Sequence, residues 1–188
     1  MNQTSQRELG GLRVAILACN GVEQAELVEP RKALQQAGAD TRLISVGKGH
    51  VQAFHHDQKG DQFEVDATFD DVDPSDFDAV MLPGGAMNAD QIRTSQSAQH
   101  FVQRMQHQGK PFAVICHAPW LLVSAGLVRG RRLTSWPSLQ DDIRNAGGTW
   151  TDEPVVKDGN WVTSRKPADI PAFNKAMIEL FASQHAAA

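Results

Sequence analysis

Residues 111–123 of the chain read PFAVICHAPWLLV, and this segment gives the clearest indication of the fold class. The run from Pro111 to Ile115 is short and apolar, as expected of a parallel strand that is buried on both faces. It leads directly into Cys116-His117-Ala118-Pro119 and then into an apolar helical segment. The order of strand, sharp turn and helix predicts an α/β protein whose functional groups lie at the carboxyl ends of its strands.

The same order repeats along the chain on both sides of this stretch. Short apolar runs predict further buried strands, and segments with apolar residues at helical spacing separate them. We therefore predict a three-layer α/β sandwich, with a mostly parallel central sheet and helices on both faces. The predicted strands are 12–18, 41–46, 77–82, 111–115 and 132–135, the helices are 23–38, 98–109, 120–123, 139–145 and one around 173–181, and a hairpin spans 155–164.

Residues 47–76 are polar and interrupt this alternation. Their short β-type fragments predict a hairpin that lies outside the core. The segment contains His50, His55, His56 and Asp57, which we considered as metal ligands. Their spacing matches no familiar zinc pattern. We therefore expect no metal site here and no cofactor.

The length of 188 residues fits one domain of ordinary size. Hydrophobic residues make up 41% of the chain and charged residues 21%, so a packed core can form without disulfides or metal. We expect a single domain over residues 12–183, with a flexible N-terminal tail at 1–11 and a C-terminal tail at 184–188.

The charge balance and the cysteine content restrict the possible partners and compartment. A net charge of −4 provides no positive field that would attract nucleic acid or an anionic membrane. The two cysteines, Cys19 and Cys116, are expected to be free thiols in a reducing compartment. The polar N-terminus lacks the apolar core of a signal peptide, so we expect a cytoplasmic protein.

Cys116 is the candidate nucleophile. It lies where a buried strand meets the N-terminus of a helix, and the free N–H groups there stabilise a thiolate. A tight turn from strand to helix also presents its central side chain at the edge of the sheet. We therefore expect an exposed sulfur that is negatively charged at neutral pH. The alternative is a small buried side chain with no chemical role.

The residues next to Cys116 and at the end of a neighbouring strand add candidate functions. His117 is a candidate base or counter-ion for the thiol, or only a polar residue that opens a helix. Gly84 and Gly85 follow the predicted strand 77–82, and their amides, with the amide of His117, form a candidate oxyanion hole. The alternative for the glycines is a plain loop.

Glu23 and Glu26 open the first predicted helix, just beyond the end of the first strand. Both side chains are placed to reach the rim where Cys116 is expected. Acidic residues in a first turn also stabilise any helix by interacting with its dipole, so a structural role alone explains them equally well. A carboxyl that is protonated and desolvated beside the sulfur would donate a hydrogen bond to the thiolate.

Four segments together resemble the ThiJ/PfpI family of glutamine-amidotransferase-like proteins. The similarity covers residues 12–180, and it is nearest to the PfpI branch, which contains intracellular cysteine peptidases and stress proteins credited with removing glyoxal-type adducts. The resemblance implies a flavodoxin-like fold of the class I glutamine amidotransferase type. The segments are AILACNGVEQAEL, AVMLPGG, AVICHAPWLLVSAGLVRGRRLTSWPSLQDDIRNAG and VVKDGNWVTSRKPAD.

The resemblance also implies roles for individual residues. Cys116 matches the family nucleophile, and His117 matches the histidine that follows it in the PfpI branch. Glu26 matches the helix glutamate that hydrogen-bonds the nucleophilic sulfur, and Glu23 matches a second acidic position at the same rim.

Two positions depart from the family pattern. In peptidase-type members, a glutamate after the Pro-Gly-Gly loop of a neighbouring subunit completes a triad with the histidine. Asp90 corresponds to that position, and its acid is shorter and lies in what we expect to be a longer loop. Trp136 stands where several relatives carry a tyrosine, and an indole cannot transfer a proton at neutral pH.

These features predict a cysteine-dependent hydrolase or lyase that acts on small reactive carbonyls and their adducts, as a deglycase or glyoxalase. One alternative is an intracellular peptidase with a Cys-His-acid site completed across the interface of a homodimer or larger homo-oligomer. Another is a redox-sensing stress protein or chaperone that responds through oxidation of Cys116. In that case Cys19 is a candidate resolving thiol, although a packed structural thiol is the simpler interpretation.

Overall fold

A computed structural model describes residues 8–188, which form twelve strands and six helices. Residues 1–7 of the predicted N-terminal tail lie outside this range. The strands are β1 Arg13–Leu17, β2 Val22–Glu23, β3 Asp40–Ser45, β4 His50–His55, β5 Gln58–Glu64, β6 Ala67–Thr68, β7 Ala79–Leu82, β8 Phe112–Ile115, β9 Arg132–Leu133, β10 Thr149–Trp150, β11 Val155–Asp158 and β12 Trp161–Ser164. The helices are α1 Gln24–Gln36, α2 Ala86–Ile92, α3 Gln96–His107, α4 Pro119–Ser124, α5 Gln140–Asn145 and α6 Ile170–Ala187.

The central sheet has seven strands in the order β11-β12-β8-β7-β1-β3-β6. Every neighbouring pair is parallel except β11 with β12, which form the predicted hairpin. Strands β1, β7 and β8 lie side by side, so their carboxyl ends meet at one edge of the sheet. The prediction of a mostly parallel α/β sheet is confirmed.

Helices cover both faces of this sheet, which gives the predicted three layers. On one face, α1 and α6 bury Leu27, Leu34, Phe173 and Phe181 against the sheet. On the other face, α3, α4 and α5 contribute a second apolar cluster. Alternate residues of β1 belong to different clusters, as expected of a strand that is buried on both sides.

The polar segment 47–76 contains the expected hairpin, formed by β4 and β5. Strand β4 also pairs with the short strand β2, which immediately precedes α1. This small three-stranded sheet therefore brings the tip of the hairpin next to the carboxyl end of β1.

Three parts of the fold differ from the sequence predictions. The predicted strand 132–135 is reduced to β9, which pairs with β10 in a separate two-stranded sheet and not with the central sheet. Residues 86–92, expected to be a loop, form helix α2, which buries Ala89 and Ile92. The domain also extends beyond residues 12–183 at both ends. Leu9 is fully buried and its N–H donates to Ala37 O at 2.9 Å, and α6 continues to Ala187. Polar flanking residues conceal these contacts in the sequence.

None of the helices within residues 8–188 is long and apolar enough to cross a membrane.

The burial of Leu9 predicts that the N-terminal segment contributes to stability. We expect Leu9→Ala to lower the free energy of unfolding by about 2 to 3 kcal/mol, because it removes a fully buried aliphatic side chain. The exposed neighbour Glu8 provides the control, and Glu8→Ala should change the free energy by less than about 0.5 kcal/mol. Urea unfolding of the three proteins measures both values, and equal midpoints would show that Leu9 belongs to a tail.

Candidate active site

Cys116 occupies a tight turn between β8 and α4, as the sequence predicted. Its backbone has a φ of 64°, in the left-handed region that residues with side chains rarely adopt. Two backbone hydrogen bonds hold this conformation. The N–H of Cys116 donates to Ser164 O at 3.0 Å, and its carbonyl accepts from the N–H of Trp136 at 2.9 Å.

The sulfur of Cys116 is surrounded by polar groups but is largely shielded from solvent. The residue is 6% exposed. Its Sγ lies 3.2 Å from Nδ1 of His117. The backbone amides of Gly85 and His117 hydrogen-bond the sulfur, and both interactions favour the thiolate by lowering the pKa of the thiol. These two amides therefore favour a negative charge on the sulfur.

Glu26 is fully buried next to this sulfur. Its Oε1 accepts a hydrogen bond from the N–H of Gly84 at 3.1 Å. Within residues 8–188, its Oε2 has no hydrogen-bond partner of good geometry, although Cys116 is close enough to affect the pKa of the carboxyl. Burial, with a smaller contribution from the charge of Glu23, raises the pKa of Glu26 to about 8. The carboxyl is therefore protonated at neutral pH.

The expectation of an exposed thiolate is wrong. Burial is the main cause that raises the pKa of the Cys116 thiol above its ordinary value, and the charge of an ionised Glu26 would raise this pKa further. Below pH 8, Glu26 is neutral and does not repel a thiolate, but the burial effect remains. Cys116 is therefore a thiol at rest.

His117, beside this thiol, is the candidate base. Burial lowers the pKa of its imidazole, so the ring is neutral at pH 7 and can accept a proton. Two indoles hold the ring in place. Trp136 stacks on it with ring centroids 5.6 Å apart, and Trp120 packs edge-on at the same distance.

Glu23 reaches the same site from the start of α1. Its Oε2 accepts a hydrogen bond from the N–H of His56 at 3.1 Å, at the tip of the β4–β5 hairpin. The ring of His56 lies 4.0 Å from the same oxygen, and its backbone has a positive φ of 58°. The hairpin that the sequence placed outside the core therefore forms one wall of the site.

Gly84 and Gly85 fit this site because neither position has room for a side chain. A Cβ on Gly84 would lie 2.5 Å from Glu26 Oε1 and 2.7 Å from the Cβ of Cys116. A Cβ on Gly85, which has a φ of 93°, would collide with the backbone between Gly21 and Glu23. The amide of Gly84 is engaged by Glu26, so two of the three candidate oxyanion donors remain, the amides of Gly85 and His117.

These groups line a pocket with a volume of about 190 Å³. Besides the predicted site residues, the walls contain His56 and Trp136, which the sequence singled out for other reasons, and four residues that carry no functional signal in the sequence, Gly21, Ala86, Met87 and Pro167. The lining residues are Gly21, Glu23, Glu26, His56, Gly85, Ala86, Met87, Cys116, His117, Trp136 and Pro167.

Two further predicted residues lie outside this pocket. Asp90 is on α2 rather than in a loop, its side chain is exposed, and it does not line the pocket. Cys19 is buried in the apolar cluster on the opposite face of the sheet from Cys116, where Ser45 hydrogen-bonds its thiol. The sheet therefore separates the two thiols.

The histidines of the β4–β5 hairpin do not assemble into a cluster. His50 begins β4 and His55 ends it, so the strand separates them. Across residues 8–188, no group of three or more histidine, cysteine, aspartate or glutamate side chains is placed to bind a metal ion.

Comparison with known proteins gives consistent matches over almost the whole chain. The Pyrococcus horikoshii protein named Deglycase PH1704 is 41% identical, over 90% of this chain and 99% of its own length. Protein/nucleic acid deglycase 2 of Escherichia coli is 35% identical, over 89% of this chain and 96% of its own.

The solved structures agree with the sequence matches. Drosophila melanogaster DJ-1beta superimposes with a TM-score of 0.82 at 29% identity, covering 91% of this chain and 90% of the other. The model of the DJ-1/PfpI family matches residues 12–180, which include every predicted site residue. The chain belongs to the DJ-1/PfpI family.

Proposed function

We propose that this protein is a deglycase that uses the sulfur of Cys116 to attack small carbonyl adducts. The observation that carries this proposal is the placement of a neutral base and a neutral acid beside one sulfur, in a pocket of about 190 Å³. The deglycase names of two relatives support the same reaction class.

In the proposed first step, the sulfur adds to the carbonyl carbon of the adduct and forms a carbon–sulfur bond. The thiol proton passes to Nδ1 of His117, 3.2 Å away. The electron pair of the carbon–oxygen π bond moves to oxygen, where the amides of Gly85 and His117 stabilise the negative charge. Glu26 then donates its carboxyl proton to that oxygen, which gives a neutral hemithioacetal. The proton on His117 is then available to the amine or thiol of the adduct when that group departs.

This order of proton transfers is consistent with the protonation states of the three groups. Since Cys116, His117 and Glu26 are all neutral at pH 7, these three groups form charge only when a carbonyl is present. A preformed thiolate would react with many electrophiles and oxidants, whereas a thiol that needs an aligned base reacts with bound substrate.

The role of Cys116 predicts a large effect of its removal. We expect Cys116→Ala to lower the rate of deglycation by at least about a hundredfold, because no other nucleophile replaces the sulfur. The substrate is the hemithioacetal of methylglyoxal with N-acetylcysteine, whose absorbance decreases as it is consumed. Cys19→Ala is the matched control and should retain nearly all activity. Full activity in Cys116→Ala would refute the proposal.

Glu26→Gln tests the proposed role of Glu26 as the general acid. A glutamine keeps the size and the hydrogen-bond acceptor for Gly84, but it cannot transfer a proton. We expect kcat to decrease by about a hundredfold or more, the usual contribution of a general acid. Ionisation of Glu26 near pH 8 should also reduce the activity of the wild type on the alkaline side. The variant should lack this alkaline decrease, and an unchanged pH profile would exclude Glu26 as the acid.

The stability of the same variant gives an independent readout. The Glu26 carboxyl ionises near its ordinary pKa of 4.5 in the unfolded chain and near 8 in the folded protein. The folded state therefore binds the extra proton between these values, and stability decreases as pH rises from about 4.5 to 8. Urea unfolding should show this decrease in the wild type but not in Glu26→Gln. Parallel stability curves would mean that Glu26 is ionised in the folded protein.

A peptidase is the second candidate, favoured by the short contact between Cys116 and His117. Within residues 8–188, no carboxylate pairs with the imidazole of His117. A Cys-His-acid site would therefore need an acid from a neighbouring copy of the chain, and we propose Asp90 of a homo-oligomer for this role. Its exposure on α2 makes the side chain accessible to such a partner.

The two candidates predict different effects of Asp90→Asn. If the protein is a peptidase, this substitution should reduce cleavage of casein by about tenfold or more, because the base loses its orienting acid. Deglycation should be unaffected, since Glu26 supplies the acid within the chain. Sedimentation of both proteins controls for loss of the oligomer. Absence of casein cleavage by the wild type would exclude the peptidase.

A further inference from the structure

We propose that Asn88 is a positioning residue that holds the Pro83-Gly84-Gly85 loop in the conformation required by Glu26 and Cys116. The residue lies on α2 and is 1% exposed, although its side chain is polar. Neither its type nor its position marked it as a site residue in the sequence. The inference rests on the proposed role of Cys116 as nucleophile, but the contacts of Asn88 can be tested separately.

The side-chain amide of Asn88 connects the ends of two neighbouring strands. Its Oδ1 accepts a hydrogen bond from the N–H of Cys19 at 2.6 Å, just beyond the end of β1. Its Nδ2 donates to Pro83 O at 3.1 Å and to Gly84 O at 2.9 Å, just beyond the end of β7. One buried amide therefore fixes three backbone groups at the edge of the sheet.

The loop that Asn88 holds carries two of the three backbone amides that contact the groups of the site, those of Gly84 and Gly85. The N–H of Gly84 donates to Glu26 Oε1, and the N–H of Gly85 hydrogen-bonds the sulfur of Cys116. The two glycines have no side chains with which to anchor themselves. Their peptide planes are therefore set by the groups that bind their carbonyls and by what packs against them.

The carbonyl oxygen of Gly84 shows how neighbouring groups fix the orientation of the loop. It accepts from Asn88 Nδ2 and, at 3.2 Å, from the N–H of Glu23. On its other side, Gly85 packs directly against the backbone between Gly21 and Glu23. The segment before α1 thus packs against the loop on one side, and Asn88 hydrogen-bonds the loop on the other side.

Removal of the Asn88 amide would leave the carbonyl of Pro83 without this donor. It would also remove one of the two hydrogen-bond donors to Gly84 O. Buried carbonyls that lose their partners carry a substantial desolvation cost, so the loop should rotate to recover hydrogen bonds. Such a rotation would turn the Gly84 N–H away from Glu26 and the Gly85 N–H away from the sulfur. The first change has a measurable signature, because the Gly84 hydrogen bond lowers the pKa of Glu26.

The test compares Asn88→Ala and Asn88→Asp with the wild type. Asn88→Asp keeps the size of the side chain and the acceptor for the N–H of Cys19, but it lacks the Nδ2 donor. This variant replaces Asn88→Ala in the test if the alanine variant does not fold. The first readout is the titration of the Glu26 carboxyl, followed by NMR on protein labelled with ¹³C-glutamate. We expect its midpoint, about 8 in the wild type, to increase by about half a unit to one unit.

The second readout is the kinetics of deglycation. Loss of the Gly85 amide at the developing oxyanion should reduce kcat by about tenfold or more and leave KM nearly unchanged, because the amide acts in the transition state. If deglycation proves independent of Cys116, the proposed function fails, and the Glu26 midpoint still tests the positioning role of Asn88.

Asn160→Ala is the matched control. Asn160 also uses its side-chain amide to join backbone and side-chain groups, donating to Lys110 O at 2.7 Å and accepting from Arg131 at 2.9 Å. It lies at the opposite end of the sheet, before β12. Its variant should lose stability but keep the Glu26 midpoint and kcat. If the Asn88 variants also lose only stability, with both readouts unchanged, Asn88 is purely structural and the proposal is overturned.

Discussion

The left-handed backbone of Cys116 is the constraint on which the site depends. A residue with a side chain in this region costs about 1 to 2 kcal/mol, and the fold must offset that cost. It does so with the hydrogen bonds from Cys116 to Ser164 and from Trp136 to Cys116, which join the turn to β12 and to the segment after β9. The turn directs the sulfur toward the ends of β1 and β7, where the glycine loop and Glu26 lie.

Burial then determines the protonation states of Cys116, His117 and Glu26. A low-dielectric environment disfavours the charged form of every group, so it raises the pKa of Glu26 and Cys116 and lowers that of His117. The result is a nucleophile, a base and an acid that are all neutral at pH 7. The cost of burying charge is thereby avoided at rest, and the amides of Gly85 and His117 are available when charge develops.

Much of this could be predicted from the sequence, because it depends on local patterns. Short apolar runs identified the central strands, and the order of strand, turn and helix identified the geometry at Cys116. The protonation state of Cys116 could not be predicted, since it depends on how deeply distant segments bury the sulfur. The backbone amides at the turn do favour the thiolate, as expected of a helix N-terminus, but the effect of burial on the pKa of the thiol is larger. Asn88 carries no sequence signal, since its partners are backbone groups 4, 5 and 69 residues away.

The origin of the acidic side chain distinguishes the two candidate functions, deglycase and peptidase. Carbonyl addition needs a proton acceptor near the sulfur and a proton donor near the new oxygen, and His117 and Glu26 supply both within one chain. Peptide cleavage needs a base that becomes positively charged and is oriented by a carboxylate, and within residues 8–188 no carboxylate pairs with His117. The pocket also limits the substrate, because the β4–β5 hairpin and Trp136 close two of its sides. In the proposed mechanisms, the single chain therefore supplies every group needed for carbonyl addition, whereas peptide cleavage requires a carboxylate from a second copy.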